Sequence, residues 1–186
     1  MSRTFDYPGL RILEAFFDDP HSEVYLREVA AKVGVSPSTA KRFLDDYTKI
    51  GLLAETRKAN LHLFKANLEE PAFRLWKTSH LLLKSRPYLT RLAELYPDSS
   101  LTLFGSCAQG TDGPGSDMDL LLVTRSTSPL PAKLLSDLSK HVEREAQVLR
   151  YTPEDWDAKA REDKPFYERV IIDGIALSGN LPVVAT

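Results

Sequence analysis

Residues 101–123 read LTLFGSCAQGTDGPGSDMDLLLV. An apolar, strand-like run from Leu101 ends at Gly105-Ser106. A glycine-rich segment follows, and Asp117 and Asp119 lead straight into a second apolar run, Leu120 to Val123. Residues two apart on a strand share a face and lie about 6.5 Å apart along it. Asp117 and Asp119 therefore form a side-by-side carboxylate pair, whose repulsion is relieved by water or by a hard divalent cation such as Mg2+. Gly105-Ser106 falls between the first strand and a predicted short helix, where backbone N–H groups and a hydroxyl can hold phosphate oxygens. A phosphate cradle beside paired carboxylates suits a metal-bound nucleoside triphosphate (NTP), and the chemistry it suggests is nucleotidyl transfer.

Gly105-Ser106, Gly110 five residues after the first glycine, and then Ser116-Asp117-x-Asp119-Leu120 together resemble the motif of the minimal nucleotidyltransferases of the polymerase-beta superfamily. The resemblance covers residues 88–180 and implies a small mixed sheet flanked by helices, with the active site at its open edge. It implies that Gly105 and Ser106, completed by Gly110 and Ser116, bind the triphosphate, and that Asp117 and Asp119 ligate two Mg2+ ions. Two departures stand out. Basic residues frequent in that family are absent at Cys107 and Gln109, and the third carboxylate, expected on a strand at Ala146 to Tyr151, is replaced by Gln147. A neutral amide cannot act as a metal-bridging base. Glu145, two residues earlier, is the catalytic candidate if the register slips, and otherwise an exposed helix-end glutamate. Cys107 has no histidine near it in sequence, and His21, His62, His80 and His141 have no metal-ligand spacing.

Upstream, Leu10, Leu13, Phe16 and Phe17 predict a helix over 8–19. Leu26, Val29, Ala30 and Val33 predict a second that stops at Gly34. Ser36-Pro37 opens a third, with Ala40, Phe43, Leu44 and Tyr47 as its buried stripe, running to about Lys49. Leu52 to Thr56 and Leu61 to Ala66 read as strands joined by the basic turn Arg57-Lys58-Ala59-Asn60. Residues 5–67 thus resemble the winged helix-turn-helix family of bacterial and archaeal regulators. That resemblance implies contacts to DNA or RNA from Ser38, Thr39, Lys41 and Arg42 on the third helix and from Arg57 and Lys58 on the wing. Against this stands the plainer reading of a solvated helix face or a protein-interaction module, and Asp45 and Asp46 place negative charge on the same helix.

The expected organisation is α+β. A winged helix-turn-helix spans 1–68, a connecting helix 69–87 ends in a break at Pro87, and a polymerase-beta-like nucleotidyltransferase domain fills 88–186, as in archaeal-type fusions. Trp76 reads as a packing residue at a domain junction or dimer interface. The tail from Tyr151 predicts a Thr152-Pro153 helix cap, two short helices and an edge strand at Ile175 to Leu177.

The net charge of -2 divides unevenly: residues 1–84 carry 13 Lys/Arg against 11 Asp/Glu, and residues 85–186 carry 11 against 15. A binding module ahead of a carboxylate-bearing one fits that division without requiring it. With 42% apolar residues and one cysteine, the chain is a folded protein and not a disulfide scaffold. No apolar run approaches the ~20 residues of a membrane span, and no signal-peptide core is evident, so a cytoplasmic setting is expected. Two functions fit. One is a Mg-dependent enzyme transferring a nucleoside monophosphate (NMP) from an NTP to a hydroxyl acceptor. The other is a DNA-binding or antitoxin-like regulator whose second domain serves as nucleotide sensor or homodimerisation body.

Overall fold

The computed structural model describes residues 7–58 and 61–184. The chain divides into two compact units, Met1–Lys77 and Thr78–Thr186.

In the first unit, α1 (Pro8–Glu14), α2 (Leu26–Val33) and α3 (Pro37–Lys49) are followed by β2 (Leu53–Lys58) and β3 (Leu61–Ala66). A two-residue strand, β1 (Val24–Tyr25), which the sequence pattern did not suggest, pairs antiparallel with β3 to give the order β1-β3-β2. Helix α1 is shorter than the predicted 8–19. Past Glu14 the chain tightens into turns in which the N–H groups of Phe16 and Phe17 reach carbonyls three residues back, both at 3.0 Å, and both rings enter the core. Gly34 ends α2 with φ +73°, its N–H donating to the Ala30 carbonyl at 2.9 Å. Ser36 caps α3 by accepting the Thr39 N–H at 3.1 Å, and Pro37 fills the first position, where no N–H is needed. Leu13, Phe16, Val29, Ala40, Leu44, Phe64 and Phe73 form the buried centre of this unit.

Helix α4 (Pro71–Leu95) is continuous through Pro87, so the expected break there does not occur. Proline removes the hydrogen bond to the carbonyl four residues back. Pro87 and Leu83 both lie on the exposed side, where solvent can serve the released carbonyl. Trp76, on the same helix, is 44% exposed.

The second unit is a mixed α+β layer structure. Its strands β4 (Ser100–Phe104), β5 (Met118–Val123), β6 (Ala146–Tyr151) and β7 (Ile175–Ser178) lie in the order β6-β5-β4-β7, with β5 and β6 parallel and the other pairs antiparallel. Alternation along the strands sorts the side chains to two faces. Leu101, Leu103, Met118, Leu120 and Leu122 pack with Leu89 and Leu92 of α4 and with Leu138 and Val142 of α6 (Ala132–Val142). Phe104, Leu121 and Val123 pack with Trp156 of α7 (Pro153–Glu162) and Val170 of α8 (Lys164–Asp173). Both faces of β5 are covered, which is why its sequence runs apolar without alternation. Thr152 caps α7 by accepting the Asp155 N–H at 3.1 Å, as its sequence suggested, and the buried Trp156 indole donates to the Pro182 carbonyl at 2.6 Å. Among the described residues, no helix is long and apolar enough to cross a membrane.

Candidate functional site

The antiparallel register of β4 and β5 sets Phe104 opposite Asp119, so the chain leaves β4 directly beside the second carboxylate. Gly105 then takes φ +72° and opens the short helix α5 (Gly105–Gln109). A Cβ at Gly105 would stand 2.6 Å from Asp119 Oδ2, so only glycine leaves room for that oxygen. The left-handed backbone and the close approach both demand glycine here. Gly110 ends α5 with φ +69°, and the Ser106 carbonyl accepts the N–H groups of Gly110 and Thr111.

The loop back to β5 is held from below by buried polar contacts. Asp112, 2% exposed, forms an ion pair with Arg144, whose guanidinium also donates to Cys107 Sγ at 3.6 Å. Cys107 Sγ in turn donates to the Asp117 carbonyl at 3.2 Å, and Thr78 Oγ1 donates to the Cys107 carbonyl at 3.1 Å. Burial is the largest single effect and acts to lower the Arg144 pKa, but the charges of Asp112 and Cys107 and the hydrogen bonds to both together outweigh it, and the net shift is upward. Cys107 is thus a structural thiol. Above this layer, Gly115 at φ +77° turns the chain, and Ser116 closes the turn with its N–H donating to the Gly113 carbonyl and its hydroxyl accepting the Gly113 N–H, both at 3.1 Å.

Asp117 and Asp119 emerge from this turn half-buried and two residues apart. Burial and then the neighbouring Asp117 charge raise the Asp119 pKa above the ordinary carboxylate value. The pair is a hard-oxygen donor set of the kind a divalent cation fits, and such an ion would relieve both effects. On the parallel neighbour β6, Gln147 stands in register with Asp119 and donates from Nε2 to Asp117 Oδ2 at 2.6 Å. Glu145 lies one residue before β6, exposed, its carbonyl accepting the Met118 N–H at 2.7 Å. Among the described residues no three His, Cys, Asp or Glu side chains gather as a metal-binding group, so Glu145 is not brought into a triad with the two aspartates. Gly105, Ser106, Gly110, Ser116, Asp117, Asp119 and Gln147 therefore meet around one end of the sheet.

In the first unit, Ser38 and Thr39 hydroxyls each lie 2.9 Å from the capping Ser36 Oγ. Lys41 pairs with Asp45 at 2.6 Å, and the Arg42 guanidinium stands 4.8 Å from the Phe43 ring centroid. β2 extends past the predicted Thr56, so Arg57 and Lys58 are strand residues opposite His62 and Leu61. Arg57 pairs with Glu55 at 3.3 Å and Lys58 with Glu23 at 2.7 Å. Ala59 and Asn60, the rest of the predicted turn, lie outside the described residues.

The buried Asp112–Arg144 pair escaped sequence reasoning, as did the bond from Gln109 Nε2 to Asp173 Oδ2 at 2.7 Å, which ties α5 to α8. Neither pair is close in sequence. The only available hint was a charged residue inside an otherwise neutral glycine-rich loop.

No curated protein sequence matches the chain. Among solved structures, it is similar to one described as a toxin-antitoxin with AMP-PNP, at 20% identity and TM-score 0.38, covering 50% of this chain and 73% of that one. It is also similar to a candidate transcriptional regulator from Rhodococcus sp. RHA1, at 20% identity and TM-score 0.32, covering 65% of this chain and 45% of that one. Residues 86–175, which carry Gly105, the two aspartates and Gln147, match the family model described as Nucleotidyltransferase domain.

Proposed function

We propose that this protein transfers an NMP from a Mg-bound NTP to a hydroxyl acceptor. The observation that carries this reading is the contact at Gly105, where Asp119 Oδ2 occupies the space a side chain would take and so sets a carboxylate against the start of the glycine turn. Backbone N–H groups at Gly105 and Ser106, with the Ser106 hydroxyl, would bind triphosphate oxygens, while Gly110 and Ser116 shape the loop around them. Asp117 and Asp119 would hold Mg2+, which when bound neutralises phosphate charge. The acceptor oxygen forms a bond to the α-phosphorus, the bond to the β-phosphate oxygen breaks, pyrophosphate leaves, and the acceptor proton passes to solvent or to a base. Gln147 cannot be that base. Glu145 could serve only if its exposed side chain turned toward the pair.

A second reading is favoured by one observation, the amide of Gln147 donating to Asp117 where the resemblance calls for a third carboxylate. On that reading the domain binds nucleotide without turnover, as a sensor or homodimerisation body. The first unit would then act as a winged helix-turn-helix on DNA or RNA, through Ser38, Thr39, Lys41, Arg42, Arg57 and Lys58. The acidic partners of Lys41, Arg57 and Lys58 would have to yield to phosphate, so such binding would be modest and steeply salt-dependent.

The deciding experiment incubates pure protein with Mg2+ and each α-32P-labelled NTP, wild type beside Asp117→Asn and Asp119→Asn. Pyrophosphate release and label transferred to protein or to added RNA, lost in both variants, would establish the enzyme. No transfer by folded protein, with retarded DNA migration abolished by Lys41→Ala and Arg42→Ala, would establish the regulator.

A further inference from the structure

We infer that Gln147 limits the carboxylate pair to a single divalent cation. The inference rests on the reading that Asp117 and Asp119 hold such an ion. Gln147 projects from β6 in register with Asp119, and its Nε2 takes one oxygen of Asp117 at 2.6 Å. Turned over, the same amide offers only a neutral oxygen, a poorer ligand for a hard cation than a carboxylate. The two aspartates carry the charge of one divalent ion, and among the described residues no third acid joins them. A second cation would therefore be held by triphosphate oxygens alone, with no protein carboxylate left to fix and balance it. Glu145 does not fill the gap, because its exposed side chain sits just before β6, where its carbonyl is fixed to the Met118 N–H.

The test counts Mn2+ bound to the full chain by electron paramagnetic resonance, with a non-hydrolysable NTP analogue present. The chains compared are wild type, Gln147→Glu, Gln147→Leu and Asp119→Asn. The expected count is one ion per wild-type chain, two for Gln147→Glu and one for Gln147→Leu, which removes the amide without adding charge. Two ions in wild type or in Gln147→Leu, or one in Gln147→Glu, would overturn the inference. A wild type that binds no Mn2+, indistinguishable from Asp119→Asn, would instead remove the reading beneath it. Thermal melting supplies an independent check. Gln147→Glu sets a third anion beside Asp117, so it should melt below wild type in EDTA and recover with Mn2+; a deficit that Mn2+ leaves unchanged counts against the inference.

Discussion

Gly105→Ala separates two demands that the structure makes on one residue. The first is backbone conformation, since at φ +72° a side chain costs about 1–2 kcal/mol. The second is space, because the new Cβ would stand 2.6 Å from Asp119 Oδ2 but 3.5 Å from Asp119 Cγ. Only the tip of the carboxylate is in conflict, so it can turn away, adding about 1 kcal/mol at the lower end of overpacking costs. Turning it away removes an oxygen from the proposed cation site, and each 1.4 kcal/mol of lost interaction is about tenfold in affinity. Gly115→Ala is the matched control, with φ +77° and nothing within 4 Å of the added Cβ. Urea denaturation should therefore place the two variants within about 1 kcal/mol of each other, each destabilised by about 1–3 kcal/mol. Mn2+ and NTP binding, read by calorimetry, should fall at least tenfold in Gly105→Ala alone. Combining Gly105→Ala with Asp119→Ala should cancel the crowding cost but not the backbone cost. Equal binding losses in the two glycine variants, or full binding by Gly105→Ala, would refute the reasoning.

Arg144→Met should cost about 3–5 kcal/mol in urea denaturation, because it removes the guanidinium that compensates the buried Asp112 carboxylate, while the double variant with Asp112→Leu should recover much of the loss. Burial and Asp117 raise the Asp119 pKa, so the folded state holds this proton more tightly than the unfolded one. Stability from this group is then complete below the ordinary aspartate range and declines as pH rises through the folded value; Asp119→Asn should flatten that slope, and Mn2+ should stabilise wild type more as pH rises. Ser36→Ala removes the acceptor for the Thr39 N–H and should cost about 1 kcal/mol, read as a lower denaturation midpoint of the first unit.

The parts legible in the sequence are those written in local periodicity and turn chemistry. Gly34 and Ser36-Pro37 marked the ends of α2 and α3 because capping acts on neighbouring residues. Asp117 and Asp119 could be paired from their spacing, and although Asp117 lies one residue before β5, its charge acts on Asp119. The break assigned to Pro87 failed because the cost of a proline depends on whether solvent reaches the carbonyl it orphans, a tertiary fact. Arg144 was unreadable for a related reason: it lies 32 residues from Asp112, and only the folded sheet brings the two together. Gln147 falls between these cases. Its position on the third strand followed from the motif, yet its bond to Asp117 depends on the parallel register of β5 and β6, which no local pattern encodes. A one-residue slip would turn Gln147 to the opposite face of the sheet and bring Val148 opposite Asp119. The observed register instead gives Asp117 a neutral donor, so the charge balance of the site is set by the pairing of two strands.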